Sequence, residues 1–174
     1  DGTMSIYVDH QALKHKLKKL KDVLISSLAD GQFLVYDAAT QKWKNRALLY
    51  GCKAYLPTRQ VIPPTAWTKP NFTAEVFDDK GEWDTTNIRF TALASGKYFL
   101  AGGFYIINSV AGEWYQFVIN RTSPAPVTSL MYLSIVANFT QVVMCGSTLT
   151  RLNAGDVVEC YVYNGASANR TLEN

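Results

Sequence analysis

The pattern of aromatic, apolar and turn positions singles out residues 72–98 as the stretch around which the chain is organised. Ile88, Phe90 and Ala92 share one face of a period-two pattern, Ser95-Gly96 interrupts it, and Tyr98, Leu100, Phe104 and Ile106 resume it. This reads as strand, tight turn, strand, with Gly96 expected to need a positive φ or a spot where a side chain would clash. The second strand is apolar on both faces, since Phe99, Ala101 and Tyr105 point away from Tyr98, Leu100 and Phe104. An antiparallel strand ordinarily keeps one wet face, so this one has to be covered twice, and another subunit is the expected second cover. The last strand shows the same doubling, with Val158, Cys160 and Val162 alternating against Val157, Tyr161 and Tyr163. The two strands together predict a shared subunit interface.

Strand-like runs fill the chain after residue 51, at 53–56, 72–77, 87–93, 97–107, 114–120, 130–137, 141–145, 147–151 and 157–163. Gly81, Gly96, Gly112, Asn120, Pro124-Ala-Pro126, Gly146 and Asn153-Ala-Gly155 punctuate them. Short strands with turn chemistry at regular spacing predict a mainly β sandwich or jelly roll over 51–174.

Ahead of this head the pattern changes period. Ile6, His10, Leu13, Leu17, Leu20 and Leu24 follow alternating 4-3 spacing, with Lys14, Lys16, Lys18, Lys19 and Lys21 off the seam, which predicts a short coiled-coil helix over 1–28. A helix packed on its own domain is the alternative, against which stand the lysine-coated remaining faces. Roughly three heptads are marginal alone, so the coil reports assembly driven elsewhere. Residues 29–50 read as a β-hairpin collar: a turn at Ala29-Asp30-Gly31, a strand at 32–36, a turn at 37–41 and a return strand at 42–45. Asp1-Gly-Thr-Met4 is compatible with a cloning remnant ahead of a fragment.

Composition narrows function mainly by exclusion. The net charge is +3, and eight of the 17 basic residues precede Lys53, so no basic face of the head points to nucleic acid. The longest apolar runs are strand-length, which excludes a membrane-inserted helix. Cys52, Cys145 and Cys160 lie in apolar runs at no metal-ligand spacing and read as reduced structural cysteines. The two histidines, His10 and His15, are far in sequence from any candidate nucleophile, so no catalytic residue, cofactor or metal is expected and the chain reads as non-enzymatic. Asp78-Asp79 with Glu82 and Asp84 lacks a compact calcium loop and reads as a solvated turn. The Asn-x-Ser/Thr sites at Asn71, Asn120, Asn138 and Asn169 have meaning only in a secretory pathway. Trp83, Trp114 and Tyr115 fall at or beside loops, where rings stack on sugars or anchor partners, or else close the sandwich ends.

Two resemblances add to this reading. Residues 22–45, from Asp22-Val23 through Ala29-Asp30-Gly31-Gln32 and Tyr36-Asp37-Ala-Ala-Thr40 to Lys42-Trp43-Lys-Asn45, resemble a short module common in tail-fibre proteins of bacterial viruses, where it links a rod to a head and implies a trimeric fibre. The spacing of Phe72, Asp78, Trp83, Phe90, Gly96 and Tyr98, with Leu152-Asn-Ala-Gly155-Asp156-Val-Val158 near the end, is similar to the signature of the complement and tumour-necrosis-factor-like jelly-roll head. Leu100 and Gly102 stand where that family carries further aromatics, which suits viral and bacterial relatives better than vertebrate ones. The resemblance implies a ten-strand, two-sheet jelly roll that trimerises through its inner sheet.

The combined expectation is a homotrimeric bacteriophage fibre head on the virion surface that binds a host-cell receptor, protein or glycan, alongside other fibre or capsid proteins. A capsid head fibre or decoration and a secreted or spore-surface head are the alternatives. Leu13, Leu17, Leu20, Leu24, Phe99, Ala101, Tyr105, Tyr161 and Tyr163 are the expected trimer contacts. The loops near 108–112, 121–126 and 164–170 are the expected receptor surface, with Asn108, Gly112, Arg121, Asn164 and Asn169 as its residues.

Overall fold

The computed structural model describes residues 21–26, 32–47 and 50–174 and divides into two units, Asp1–Tyr50 and Gly51–Asn174. The expected coil positions Leu13, Leu17 and Leu20 lie outside the described residues.

In the first unit β1 (Val23–Leu24), β2 (Gln32–Asp37) and β3 (Lys42–Ala47) form a sheet in the order β1-β3-β2. The expected hairpin is β2–β3, and Asp37 closes its turn. Its Oδ1 accepts the Thr40 N–H at 3.1 Å and its Oδ2 accepts Lys44 Nζ at 2.8 Å. The hydrogen bond from Lys44 leads in holding this carboxyl down at about 2. Leu24 is not a helical seam residue: it is exposed, and it lies in β1, parallel to β3. Asn45 explains the departure, because its side chain accepts the Ser26 N–H at 2.8 Å and donates to the Ser26 carbonyl at 2.7 Å. Those bonds, with Trp43 N–H donating to Asp22 O, draw 22–26 against β3 instead of letting the helical spacing continue.

The second unit contains β4 (Cys52–Tyr55), β5 (Gln60–Ile62), β6 (Ala66–Thr68), β7 (Ala74–Asp78), β8 (Trp83–Asp84), β9 (Arg89–Thr91), β10 (Gly96–Ile107), β11 (Trp114–Ser123), β12 (Thr128–Val136), β13 (Gln141–Leu152), β14 (Val157–Asn164) and β15 (Arg170–Leu172). One sheet runs β13-β10-β15-β5, the other β12-β11-β14-β9-β8 with β6 also on β14, and β4 pairs with β7 as a separate ribbon. The head therefore has twelve strands among the described residues, ten of them in the two large sheets. All pairings are antiparallel.

The sheets face each other across one core. Ile62, Phe104, Ile106, Val142, Met144, Leu152 and Leu172 enter it from the first, and Phe90, Tyr115, Phe117, Ile119, Met131, Val158 and Val162 from the second. Gly146 is not a breaker. It continues β13 unbroken and pairs directly with Gly102 of β10. On the core side a Cβ at Gly146 would stand 2.8 Å from Leu133 Cδ1 and from Met131 Sδ, and one at Gly102 would stand 3.0 Å from Phe117 Cζ. The paired glycines make a notch that receives side chains of the opposite sheet.

Gly96, in contrast, needs no special backbone. Its φ is not in the left-handed region, and the nearest atom to an added Cβ is Tyr98 Cε2 at 3.8 Å. The 92–95 turn is instead shaped from outside: Ala92 N–H donates to Asp156 O at 2.9 Å, Gly155 N–H to Ala92 O at 2.7 Å, and Ala154 N–H to Ser95 Oγ at 3.0 Å.

Strand directions sort the loops. Loops 63–65, 108–113, 137–140 and 165–169 gather at one end of the sandwich, and 92–95, 124–127 and 153–156 at the other. Filling the notch should overpack the core: Gly146→Val is expected to destabilise the head by about 1–3 kcal/mol, read as a lower urea midpoint at fixed protein concentration. An unchanged midpoint would refute the notch.

Candidate functional site

The face of β13-β10-β15-β5 turned away from the core is largely apolar and, among the described residues, exposed, with the cross-strand pair Lys97–Arg151 at one end of it. Phe99 and Leu149 are direct cross-strand partners, as are Tyr105 and Val143, and between them lie the small pairs Ala101–Ser147 and Gly103–Cys145. Phe99 is 71% exposed, Leu149 67%, Val143 65%, and Val61 on β5 59%. Contiguous exposed apolar area of this kind marks an interaction surface. Three expected trimer contacts, Phe99, Ala101 and Tyr105, therefore share this face.

Tyr161 and Tyr163 do not. They lie on β14 in the other sheet, with Val158 and Val162 turned into the core, so their rings are on the opposite outside of the sandwich. One flat contact cannot hold both sets. Tyr161 Oη donates to Glu159 Oε2 at 3.0 Å, Lys69 lies 5.9 Å from the Tyr161 ring centroid, and Tyr163 packs between Trp67 and Trp114.

The expected receptor residues split in the same way. Asn108, Gly112 and Asn169 are exposed at one end of the sandwich, with Asn108 in the left-handed region at φ 63° and Gly112 at φ 90°. Asn164 is at that end too, but it is fully buried and cannot touch a receptor. Its Nδ2 donates to Ile62 O at 3.1 Å and Ala168 O at 3.0 Å, and its Oδ1 accepts the Ala166 N–H at 3.0 Å, so it fastens 165–169 to the end of β5. Arg121 is at the opposite end, beside Asp156 at 3.7 Å and donating to Thr128 Oγ1 at 3.2 Å, and belongs to that end's internal packing.

Buried polar groups fix the first end. Glu113 receives Arg170 Nε at 2.8 Å, Tyr115 Oη at 2.7 Å and the Val110 N–H at 2.9 Å, while Arg170 Nη2 pairs with its second oxygen. Arg170, itself buried, thus ties β15 to loop 108–113. Ser109 joins that loop to 137–140, donating N–H to Thr140 O at 3.0 Å and Oγ–H to Phe139 O at 2.7 Å. Val110, Phe139, Trp114 and Trp67 are left exposed on a firmly tied scaffold. Trp67 and Phe139 were not anticipated as surface groups; the Asn164 fastening gives no sequence signal, because a polar residue before a glycine reads as a wet turn.

The other candidates are structural. Tyr115 is fully buried, and Trp83 packs against the core with Nε1–H donating to Phe72 O at 3.0 Å, so only Trp114 of the three expected surface rings is on the surface. Asp78 accepts backbone N–H groups from Lys80, Gly81, Glu82 and Trp83. Burial works against its charge, yet those donors together keep the carboxyl below its ordinary value. Among the described residues no group of three or more His, Cys, Asp or Glu side chains converges on a metal position, and no helix is long and apolar enough to cross a membrane. All three cysteines are unpaired, and burial pushes the Cys52 and Cys160 thiols up to about 12.

The hydrogen bonds from Arg170 lead in holding the Glu113 carboxyl at about 2, below its ordinary 4.5. A lowered folded-state value means stability present above the ordinary pKa and lost as pH falls through the folded one. The unfolding midpoint should therefore drop between pH 4.5 and about 2, and Glu113→Gln should flatten that part of the profile. An identical acid profile in the variant would refute the tie.

No protein-family model matches the chain, and no curated protein matches its sequence. Among solved structures it is similar to the globular domain of the zebrafish complement 1qA protein, at 14% identity and TM-score 0.46 over 67% of this chain and 98% of that one. It is also similar to the Eiger TNF of S. frugiperda, at 15% identity and TM-score 0.49 over 71% and 82%. Murine APRIL gives 11% identity and TM-score 0.50 over 71% of this chain and 95% of that one. At such identities the likeness is one of fold alone, and with the strand order above it makes the head a two-sheet jelly roll.

Proposed function

We propose that the chain is a non-enzymatic, homotrimeric fibre head of a bacterial virus, carried on the virion surface, that attaches to a host-cell receptor through the loop end of its jelly roll. The observation that carries this reading is the uncovered apolar face of β13-β10-β15-β5. Burying a large apolar side chain stabilises by roughly 1.5–3 kcal/mol, so Phe99, Leu149, Val143 and Val61 supply about 6–12 kcal/mol. Association costs about 4–15 kcal/mol, so these four bring assembly within reach. Ala101, Gly103 and Ser147 let a neighbouring copy approach closely enough to add dispersion over the middle of the sheet. With that face occupied, the tied loops around Asn108, Val110, Gly112 and Asn169 are left for a receptor. The viral setting is supported by the resemblance of 22–45 to a rod-to-head module, whose hairpin is the β2–β3 pair.

The chain should sediment as a trimer at micromolar concentration, and should remain one after deletion of residues 1–28, because the head supplies the larger contact. Phe99→Asp with Leu149→Asp should give a folded monomer. A wild-type monomer would refute the assembly. Three heads per particle raise the effective concentration of a weak site, so the trimer should bind host cells about 10²–10⁴-fold more tightly than the monomeric variant. A trimer that binds no host cell refutes attachment and leaves a decoration protein.

A further inference from the structure

The outward face of the six-stranded sheet carries a row of rings that neither the core nor the assembly face explains. Trp67 on β6, Tyr163 on β14 and Trp114 on β11 lie side by side, with centroids 5.3 Å apart for Trp67 and Tyr163 and 4.9 Å apart for Trp114 and Tyr163. The indoles are 46% and 39% exposed, respectively. Trp67 and Tyr163 are direct cross-strand partners, so the sheet register sets the row. Trp114 is fixed by Gly165: a Cβ there would stand 2.5 Å from the indole Cε2, so glycine alone leaves the ring its place.

The groups around the rings define what they fit. Gln116, opposite Tyr163 on β11, donates through Nε2 to Tyr132 Oη, and its amide keeps a second N–H and a carbonyl for a ligand. Lys69, two residues beyond Trp67, is ion-paired with Glu159 and brings no free charge. Nucleobases also stack on rings, but a phosphate chain needs cations to neutralise it, and this one is already neutralised. Ring faces bordered by uncharged donors and acceptors match a neutral sugar, which presents a C–H face to an aromatic ring and hydroxyls to an amide and a phenol. Neighbouring rings are inclined by 57° and 31°, a twisted platform that suits a single soluble chain rather than a flat crystalline surface.

We propose that Trp67, Tyr163 and Trp114 form a binding site for a neutral oligosaccharide chain, with Gln116 and Tyr132 hydrogen-bonding its hydroxyls. The inference rests on the reading of the head as an attachment tip and names the ligand class that tip takes. The test is native electrophoresis of the full chain in gels containing soluble neutral glucan, mannan, galactan or xylan, followed by tryptophan-fluorescence titration with the matching hexasaccharide. At least one polymer should retard the protein, and Trp67→Ala and Trp114→Ala should each weaken binding about tenfold or more. Gln116→Ala, which leaves every ring in place, should weaken it as well and decides the matter if a tryptophan variant does not fold. Trp43→Ala, in the amino-terminal unit, should change nothing. Retardation by none of the four polymers, or retardation that survives loss of both indoles, overturns the proposal. So does dissociation of the trimer by Trp67→Ala, which would make the row an assembly contact. The gels contain no cells, so a head that binds host cells but no polymer refutes the sugar site and leaves attachment standing. A head that binds a polymer but no cells does the reverse.

Discussion

Twelve residues, Gly96–Ile107, form a strand with apolar side chains on both faces, and the head is arranged around covering it twice. On one side Phe104 and Ile106 meet the second sheet, with the Phe104 and Phe117 rings in edge contact at 4.3 Å. That contact is as close as it is because Gly102 and Gly146 are paired without side chains, letting Phe117, Met131 and Leu133 reach the strand surface. On the other side Phe99 and Ala101 are exposed and Tyr105 half-buried among the described residues. Close packing in the core and the exposed apolar face on which the proposed assembly rests are thus two consequences of one strand composition.

How much of this could be read beforehand follows from what periodicity encodes. Alternation gave β10 to within a residue, because twelve alternating positions leave one assignment. It missed β5, β6, β8 and β15, which have two or three residues each, too few for a period to register. It also treated β10 and β14 alike. Both alternate apolar on apolar, but alternation states only that a strand has two faces, not which sheet it joins, so Tyr161 and Tyr163 were grouped with Phe99 although the sandwich separates them. Leu24 fits a heptad, yet the side chain of Asn45, distant in sequence, holds its neighbour Ser26 to the sheet. Asn164 departs for another reason: a polar residue at a turn reads as wet, whereas this one is buried and replaces backbone partners that the turn itself cannot provide.

The two ends of the sandwich are closed by different means. At one, Arg121, Asp156 and Thr128 join neighbouring strands, and the 92–95 turn leans on 153–156. At the other, Glu113, Arg170, Ser109 and Asn164 tie four loops to one another through buried polar contacts, and Thr65, a β-branched residue held at φ 51°, donates its N–H to Asn164 O at 2.7 Å. A side chain of that type adopts a positive φ only where its surroundings over-determine it, which places backbone strain beside the most heavily tied loops.

Rigidity and weak chemistry belong together at such a surface. A tied loop end loses little conformational freedom on contact, so even a small ring-stacking or hydrogen-bonding gain appears as affinity rather than being consumed by ordering. The neutral ligand proposed above would add no steering charge and few strong bonds, so each copy alone would bind feebly. Assembly through the exposed sheet face would compensate by multiplying copies. That face has small residues at its centre, flanked by the Phe99–Leu149 and Tyr105–Val143 pairs, an arrangement that suits close association between identical subunits. On the proposed reading, assembly and recognition would occupy opposite outsides of one sandwich, and residues that serve one, such as Phe99 or Leu149, could change without disturbing Trp67, Tyr163 or Trp114, because the core between them is shared but the contacts are not.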